Sequence, residues 1–575
     1  MVFHPPPWTP ALPHIPDSVA VPDFINSEAY GRKSFSRSRN PYTCGLTGQS
    51  RTGEEVALRV DFLARALAKN VGFDPLDGTE WDRVVGIYAL NTIDYIPVTH
   101  AIHRVSGIVT PASAVHSSSE LEHQLRSSGA RALFTCVPLL DNALKAAKAA
   151  GIPEKNIFLI PIPSVPSKTH LKTIEDLISE GQHLSPVPAP KWIPGQGKRQ
   201  VAYLCYSSGT SGLPKAVMIS HYNVIACVLM LQTYESVARR EFSVETQVSL
   251  GVLPFSHIYG LVVVAHIAQY RGDEVVVLQR FQLDDLLGAI QQFKIEQLCV
   301  VPPIIIQLLS NQEKCRNYDL GSVRLIFSGA APLGSETIQK MLEIYPKWRV
   351  VQGYGLTEAS PSVFHTSELD SLMGSSGSLL PGAMAKIVDM HGDEVTKYET
   401  PGELYVQAPN VVLGYLNNEK ANAETFVWHE DGRWLRTGDE VLIRQSSQGL
   451  EHFLIVDRIK ELIKVKGHQV APAELEAHLL DHSYVSDCAV IGVLNERAGE
   501  VPLAFVVKSR QASGLGDEEI QQAIHEHVEK HKARHKWLKG GVQFLEAIPK
   551  SPSGKILRRL LKPQTVSATK ALAKL

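Results

Sequence analysis

Short apolar runs alternate with amphipathic stretches along most of the chain, and that rhythm predicts strands interleaved with helices. Val56, Val60, Leu63 and Leu67 recur at helical spacing between Glu54 and Asn70, which places them on one face of a helix. Runs at 84–90, 131–136 and 156–160 read as buried strands, with a helix at 138–150 between the last two. The pattern continues as a strand at 201–205, a strand at 274–279, a helix at 283–293 and strands at 297–301 and 322–327. Such alternation predicts a layered α/β fold. The proline-rich residues 1–24 predict an extended arm over the large domain, because proline lacks the donor a helix needs. Residues 161–194, with several prolines and polar turns, read as a surface connection. The most apolar stretch, 251–268, contains Ser256, His257 and His266 and reads as a buried element, which argues against an integral membrane protein.

The C-terminal part has a different rhythm. A β-rich region starts at 401–406 and includes 434–439, and the charged run Asp457-Arg458-Ile459-Lys460-Glu461 follows a strand. Beyond it, a helix at 472–480, strands at 486–493 and 501–508 and a helix at 517–536 predict a compact second domain. Residues 1–457 and 458–575 are therefore expected to form a large and a small domain, as a chain of 575 residues exceeds one ordinary core.

Composition narrows the partners. With 57 Lys plus Arg against 59 Asp plus Glu, the net charge of −2 gives no support for a nucleic-acid partner. Seven dispersed cysteines, at 44, 136, 205, 227, 299, 315 and 488, show no paired metal spacing and favour a reducing compartment. No basic stretch followed by an apolar core opens the chain, while its Ala573-Lys574-Leu575 end is similar to the peroxisomal Ser-Lys-Leu address. A peroxisomal import receptor is thus an expected partner, and the peroxisome an expected location.

The candidate chemistry centres on Tyr206-Ser207-Ser208-Gly209-Thr210-Ser211-Gly212-Leu213-Pro214-Lys215, which follows an apolar run. Glycines let backbone amides approach an anion, hydroxyls donate, and the lysine neutralises charge, so a nucleotide phosphate is the implied ligand. Leu213 and Pro214 separate Gly212 from Lys215, so this is not a Walker P-loop. Taken alone, such a Ser/Gly-rich stretch is more often a mobile surface loop.

This decapeptide, with Gly353-Tyr354-Gly355-Leu356-Thr357-Glu358, Thr437-Gly438-Asp439 and Asp457-Arg458 followed by Lys460, resembles the ordered motifs of the acyl-adenylate-forming (AMP-binding) superfamily. The resemblance is to its 4-coumarate:CoA ligase, medium-chain acyl-CoA ligase and luciferase branch, and it runs from about residue 45 to 560. It implies a multi-subdomain adenylating-enzyme N-terminal domain with a small, mobile α+β C-terminal lid. It also implies ATP, CoA and Mg2+ as cofactors, and a small-molecule carboxylic acid as substrate.

Residue by residue, the resemblance implies that Ser207, Ser208, Gly209, Thr210, Ser211, Gly212 and Lys215 hold the ATP phosphates. Ala330 and Ala331 would lie against adenine, Tyr354 on the base, Gly353 and Gly355 beside nucleotide and acyl group, and Thr357 at the α phosphate. Glu358 would coordinate Mg2+, Asp439 and Arg458 would bind ribose, and Lys460 would be the pivot of the hinge. His257 matches a substrate-gating histidine, and Tyr259 would line the acyl pocket. Lys555, in Pro549-Lys550-Ser551-Pro552-Ser553-Gly554-Lys555, matches the adenylation lysine. On the opposite lid face, Lys464 and Gln469 would serve thioester formation, and Lys466 and Gly467 the CoA passage. Without the family pattern, the lysines and acids read as solvated charges and His257 as a buried structural residue.

Phe327 stands where related hydroxycinnamate ligases carry a basic residue; with Tyr259, Ala330, Gly353 and Gly355 it predicts an apolar pocket for a less polar aromatic acid or a medium-chain fatty acid. The expected reaction converts acid, ATP and CoA to acyl-CoA, AMP and pyrophosphate through an acyl-adenylate. The alternatives are transfer to a carrier protein, a luciferase-like oxygenase, and an inactive nucleotide-binding regulatory protein. Retention of Lys555 and Glu358 weighs against the last.

Overall fold

The computed structural model describes residues 1–561 except 164, 167, 168, 190, 208–213, 467, 496, 552 and 553. The expectations on Ser208, Gly209, Thr210, Ser211, Gly212, Gly467 and the Ala573-Lys574-Leu575 end therefore lie outside the described residues.

The architecture is α/β, with four sheets among the described residues. One sheet of seven strands has the order Gly414–Tyr415, Lys215–Ser220, Val201–Ser207, Ile108–Ala112, Val84–Tyr88, Ala132–Thr135, Ile157–Leu159. Its last five strands run parallel, so both faces need helical cover, and the strands are almost wholly apolar and buried. A second sheet, of nine strands, centres on the parallel set Glu274–Val277, Val248–Gly251, Gln297–Val300, Leu325–Ser328 and Arg349–Gly355. A third, antiparallel sheet is built from Met384–Val388, Gly402–Gln407, Gly432–Gln445, Phe426–His429 and Glu451–Arg458. The chain then turns and starts a fourth sheet at Ile463–Val465, which carries its own apolar core with helices Pro472–Leu480 and Asp517–His531.

Local signals explain the elements. Helix Gly53–Leu67 opens on a capping box in which the Thr52 hydroxyl accepts from the Glu55 amide and the Glu55 carboxylate from the Thr52 amide. Its Val56, Val60, Leu63 and Leu67 are buried, as their spacing requires. The N-terminal arm is extended up to Ala20 and pairs through Phe3 with Ala385; it then enters a short helix, Val21–Asn26, whose proline sits in the first turn where no amide is needed.

Two expectations need correction. The connection at 161–194 contains helix Ile174–Gly181, with a Thr173–Asp176 capping box and buried Ile174, Leu177 and Ile178. It packs on Gly53–Leu67 so closely that a Cβ at Gly181 would stand 2.0 Å from the Phe62 carbonyl oxygen. The prolines flank this helix without entering it, which is why the composition of the whole segment concealed it. The C-terminal helix, expected to reach residue 536, ends at His531, and a separate 3-10 turn follows at Arg534–Lys536.

Candidate active site at the domain junction

Strands Val201–Ser207 and Lys215–Ser220 pair as a hairpin that sets Ser207 opposite Lys215. The Lys215 ammonium lies 4.7 Å from the centre of the Tyr415 ring, because strand Gly414–Tyr415 pairs alongside Lys215–Ser220. Tyr415 in turn donates from its hydroxyl to Glu358 Oε1 at 2.8 Å. A cation, a phenol and a carboxylate from three separate segments thus form one wall. Burial and then the Glu358 charge push the Tyr415 phenol upward, so it stays a donor.

A second wall starts from Arg349–Gly355, which delivers Gly353, Tyr354 and Gly355 at its end, with Thr357 and Glu358 in the following 3-10 turn. The Tyr354 hydroxyl donates to Asp439 Oδ2 at 2.6 Å, and Arg458 Nε lies 3.5 Å from Asp439 Oδ1. Asp439 and Arg458 face each other because strands Gly432–Gln445 and Glu451–Arg458 pair in that register. Burial raises the Asp439 carboxyl, opposed by Arg458, by the Tyr354 hydroxyl and by Lys555. No Cβ fits at Gly355, where it would approach the Pro361 carbonyl oxygen to 2.3 Å. Ala330, after strand Leu325–Ser328, is held at φ 67°, a left-handed conformation that costs a non-glycine residue about 1 kcal/mol or more and clusters at binding sites.

The small domain contributes the third wall. Ser551 and Lys555 close a tight turn: the Ser551 amide donates to the Lys555 carbonyl at 2.8 Å and the Lys555 amide to Ser551 Oγ at 3.1 Å. Gly554, at φ 81°, rests against the large domain, where an added Cβ would come within 3.1 Å of Val301 and 3.3 Å of Pro303. Lys550 anchors the turn through an ion pair to Asp487 at 2.7 Å. Burial and then the neighbouring Arg458 bring the Lys555 ammonium down to about 8, against the opposing pull of Glu461, Asp439 and Glu358. Lys555 is thus within electrostatic reach of both Asp439 and Glu358.

A family profile for AMP-binding enzymes matches residues 35–416, and one for the AMP-binding enzyme C-terminal domain matches residues 474–555. The chain belongs to the AMP-binding enzymes. Within that family it is similar to the acyl-CoA ligase AFT1-1 of Alternaria alternata, 40% identical over 569 residues covering 98% of this chain and 97% of the relative. It is also similar to the acyl-CoA ligase easD of Emericella nidulans, 37% identical over 98% of this chain and 100% of that one. Among solved structures, the anthranilate CoA ligase AuaEII in complex with anthranoyl-AMP superposes with a TM-score of 0.79 at 21% identity, covering 96% of this chain and 99% of that chain. ATP-bound MatB from Rhodopseudomonas palustris gives 0.77 at 21% identity, over 95% and 99% of the two chains. These structural likenesses establish the shared fold of a large N-terminal and a small C-terminal domain.

In this AMP-binding enzyme His257 is held neutral near neutrality: burial and then the Lys555 charge bring it down to about 4. Its Nδ1 accepts from the Tyr259 amide at 3.3 Å, which leaves the proton on Nε2. Tyr259 donates to the Phe327 carbonyl at 3.0 Å and meets the Phe327 ring edge-on. Phe327 also fills the space over Gly353, where a Cβ would come within 2.7 Å of its ring. A narrow cavity behind Phe327 is lined by Val263, Val264 and Cys299 together with Glu235, Arg271, Asp273 and Gln297; of the expected pocket residues, Phe327 lines it and Tyr259, Ala330, Gly353 and Gly355 do not. Glu235 and Arg271 pair at 2.7 Å, so the charges are balanced without being removed.

Not every expected residue joins the cluster. Lys464 and Gln469 face each other on the hairpin of strands Ile463–Val465 and His468–Val470, and Lys460, Lys464, Lys466 and Gln469 are exposed. Among the described residues no contact ties them to Lys555, His257 or Asp439. Tyr415 was missed, since a lone tyrosine after glycine carries no motif signal; its importance comes from the strand that sets it beside Lys215 and Glu358. Glu461 was read only as part of a charged run, yet it pairs with Arg558 at 2.9 Å and supports Lys555 electrostatically.

Proposed function

We propose that this AMP-binding enzyme converts an aromatic or medium-chain carboxylic acid to its CoA thioester in two steps, adenylation and then thiolysis. The observation that carries the reading is Lys555, drawn from the small domain into a cluster with Asp439, Arg458, Glu358 and His257. A lysine within electrostatic reach of these carboxylates and of an uncharged histidine suits attack of a carboxylate on the ATP α phosphate, where negative charge builds in the transition state. Lys215 and Ser207 are at the right edge for the outer phosphates, Asp439 and Arg458 for ribose, and Tyr354 for the base. His257 Nε2–H serves as a neutral donor to the acid. Glu358, an oxygen ligand fixed by Tyr415, fits Mg2+, which would neutralise the triphosphate and organise the departing pyrophosphate.

The Lys464, Lys466 and Gln469 hairpin is exposed, and its residues make no described contact with Lys555. We assign it to thioester formation after the small domain rotates about Lys460, withdrawing Lys555. The wall of Tyr259 and Phe327 limits the length of the acid.

Purified protein with Mg2+-ATP and a panel of phenylacetic, cinnamic, coumaric, six-to-twelve-carbon fatty and hydroxy fatty acids tests the reading by mass spectrometry, with and without CoA. Hydroxy acids belong in the panel because the cavity adjoining Phe327 carries polar residues. Acyl-CoA from one member supports the proposal and names the acid. Acyl-AMP that accumulates despite CoA redirects it to another acceptor, and absence of ATP cleavage across the panel overturns the substrate range.

A further inference from the structure

Helices Pro472–Leu480 and Asp517–His531 of the small domain bring three histidines together away from the active site. One ring nitrogen from each of His478, His527 and His531 lies within 4.8 Å of one from each of the others. His527 and His531 are four residues apart on one helix and so project from the same face. The His478 and His527 rings stack at 4.1 Å, and His531 is edge-on to His478 at 5.4 Å.

Hydrogen bonds settle which nitrogens are available. His478 Nε2 bonds the His527 carbonyl at 3.3 Å, His527 Nε2 the His478 carbonyl at 3.1 Å, and His531 Nδ1 the His527 carbonyl at 2.9 Å. A carbonyl only accepts, so each of these nitrogens carries the proton, and His478 Nδ1, His527 Nδ1 and His531 Nε2 keep their lone pairs. A backbone carbonyl on the far nitrogen is also the usual support of a metal-bound histidine. His482, edge-on to His527 at 5.1 Å, differs: its Nδ1 accepts from the Tyr484 amide at 3.2 Å, so its lone pair is already used.

We propose that His478, His527 and His531 bind a divalent late transition-metal ion, with Zn2+ as the natural probe and water in the fourth position. Imidazole nitrogens suit such ions and not Mg2+, and three histidines leave a tetrahedral ion one open site. Bonds of about 2.0–2.1 Å require nitrogens about 3.3 Å apart, so rotation of the rings out of their stack completes the site. Both helices end here, and their negative dipole ends favour a cation. Nearby Lys532 and Lys536 share an ion pair with Glu474, at 3.1 and 2.6 Å, which offsets one of their two positive charges. His531 is exposed, which provides the entry path. The site bridges two helices of one domain, so its expected effect is to fasten that domain.

The test uses full-length protein without an affinity tag, stripped by a chelator, and titrated with Zn2+ by calorimetry and with Co2+ by visible absorption. One equivalent of Zn2+ should bind at micromolar concentration and raise the melting temperature, and Co2+ should give a tetrahedral band without a thiolate charge-transfer band. His531→Ala, at an exposed position, and His478→Gln should each weaken binding at least tenfold, whereas His525→Ala, on another face of the same helix, should not. No saturable binding below about 100 μM, unchanged affinity in His531→Ala, or a thiolate band would overturn the proposal. Should His478→Gln fail to fold, His531→Ala decides.

Discussion

At the residue scale, the chemistry depends on how neighbours tune a few side chains. Lys555 is brought down to about 8 by burial and by Arg458, so the free enzyme loses this cation as pH rises through that value. The kcat/KM for adenylation is therefore expected to fall above about pH 8, while Lys555→Arg, slower overall, should lose that alkaline limb; pyrophosphate release across pH measures both. Lys555→Ala should cut acyl-adenylate formation by about 100- to 1000-fold yet leave thioester formation from supplied acyl-adenylate nearly intact. Tyr415→Phe removes the donor to Glu358. A hydrogen bond to a charged group is worth about 1.5–3 kcal/mol, so the ATP KM should rise about tenfold or more, as read from steady-state kinetics at fixed Mg2+.

At the element scale, the strand registers create the site. The pairing of Asp439 with Arg458, and of Tyr415 with Val217 beside Lys215, brings together residues distant in sequence. A slip of one residue in either ladder would turn these side chains to the opposite face. Packing between helices is equally exacting where Gly53–Leu67 meets Ile174–Gly181. Gly181→Ala would put a methyl group into the Phe62 backbone, and since neither helix can retreat from the buried contact, a loss of about 1–3 kcal/mol is expected in a urea melt.

At the scale of the whole molecule, the core stores uncharged histidines. His100 stacks on His266 at 5.4 Å, and His103 is edge-on to Tyr203 and His221, each at 4.8 Å. Burial holds His103 down to about 4 and His266 to about 3, and it lowers His100 and His221 as well. The unfolded chain protonates them near 6.5, so it binds more protons than the fold as pH falls below that value. Stability should drop between about pH 6.5 and 4, by about 1.4 kcal/mol per pH unit for each proton taken up on unfolding. Urea midpoints at pH 7.5 and 5.5 check the sign: an equal or higher midpoint at 5.5 refutes it. The small domain has a separate apolar core, with Ile463, Leu475, Val490, Ile520 and Ile524 at its centre, consistent with movement as a unit.

Periodicity and turn chemistry were sufficient for most elements: helix Leu283–Phe293 and helix Pro472–Leu480 fall where their apolar spacing placed them, because one buried face suffices to select a helix. Helix Ile174–Gly181 was concealed because eight residues among prolines leave little periodic signal, and its stability comes from packing on a distant partner. The ordered motifs made Lys215, Glu358, Asp439 and Lys555 legible as candidates, since phosphate and ribose chemistry requires particular side chains at conserved chain order within the resembled family. Tyr415, the support from Glu461 and the polar residues lining the cavity behind Phe327 were not legible, because each acquires its role from neighbours on other strands and helices. Local composition determined the elements and the chemical repertoire. Tertiary structure alone decided which charges share a desolvated space, and hence which protons are held or released.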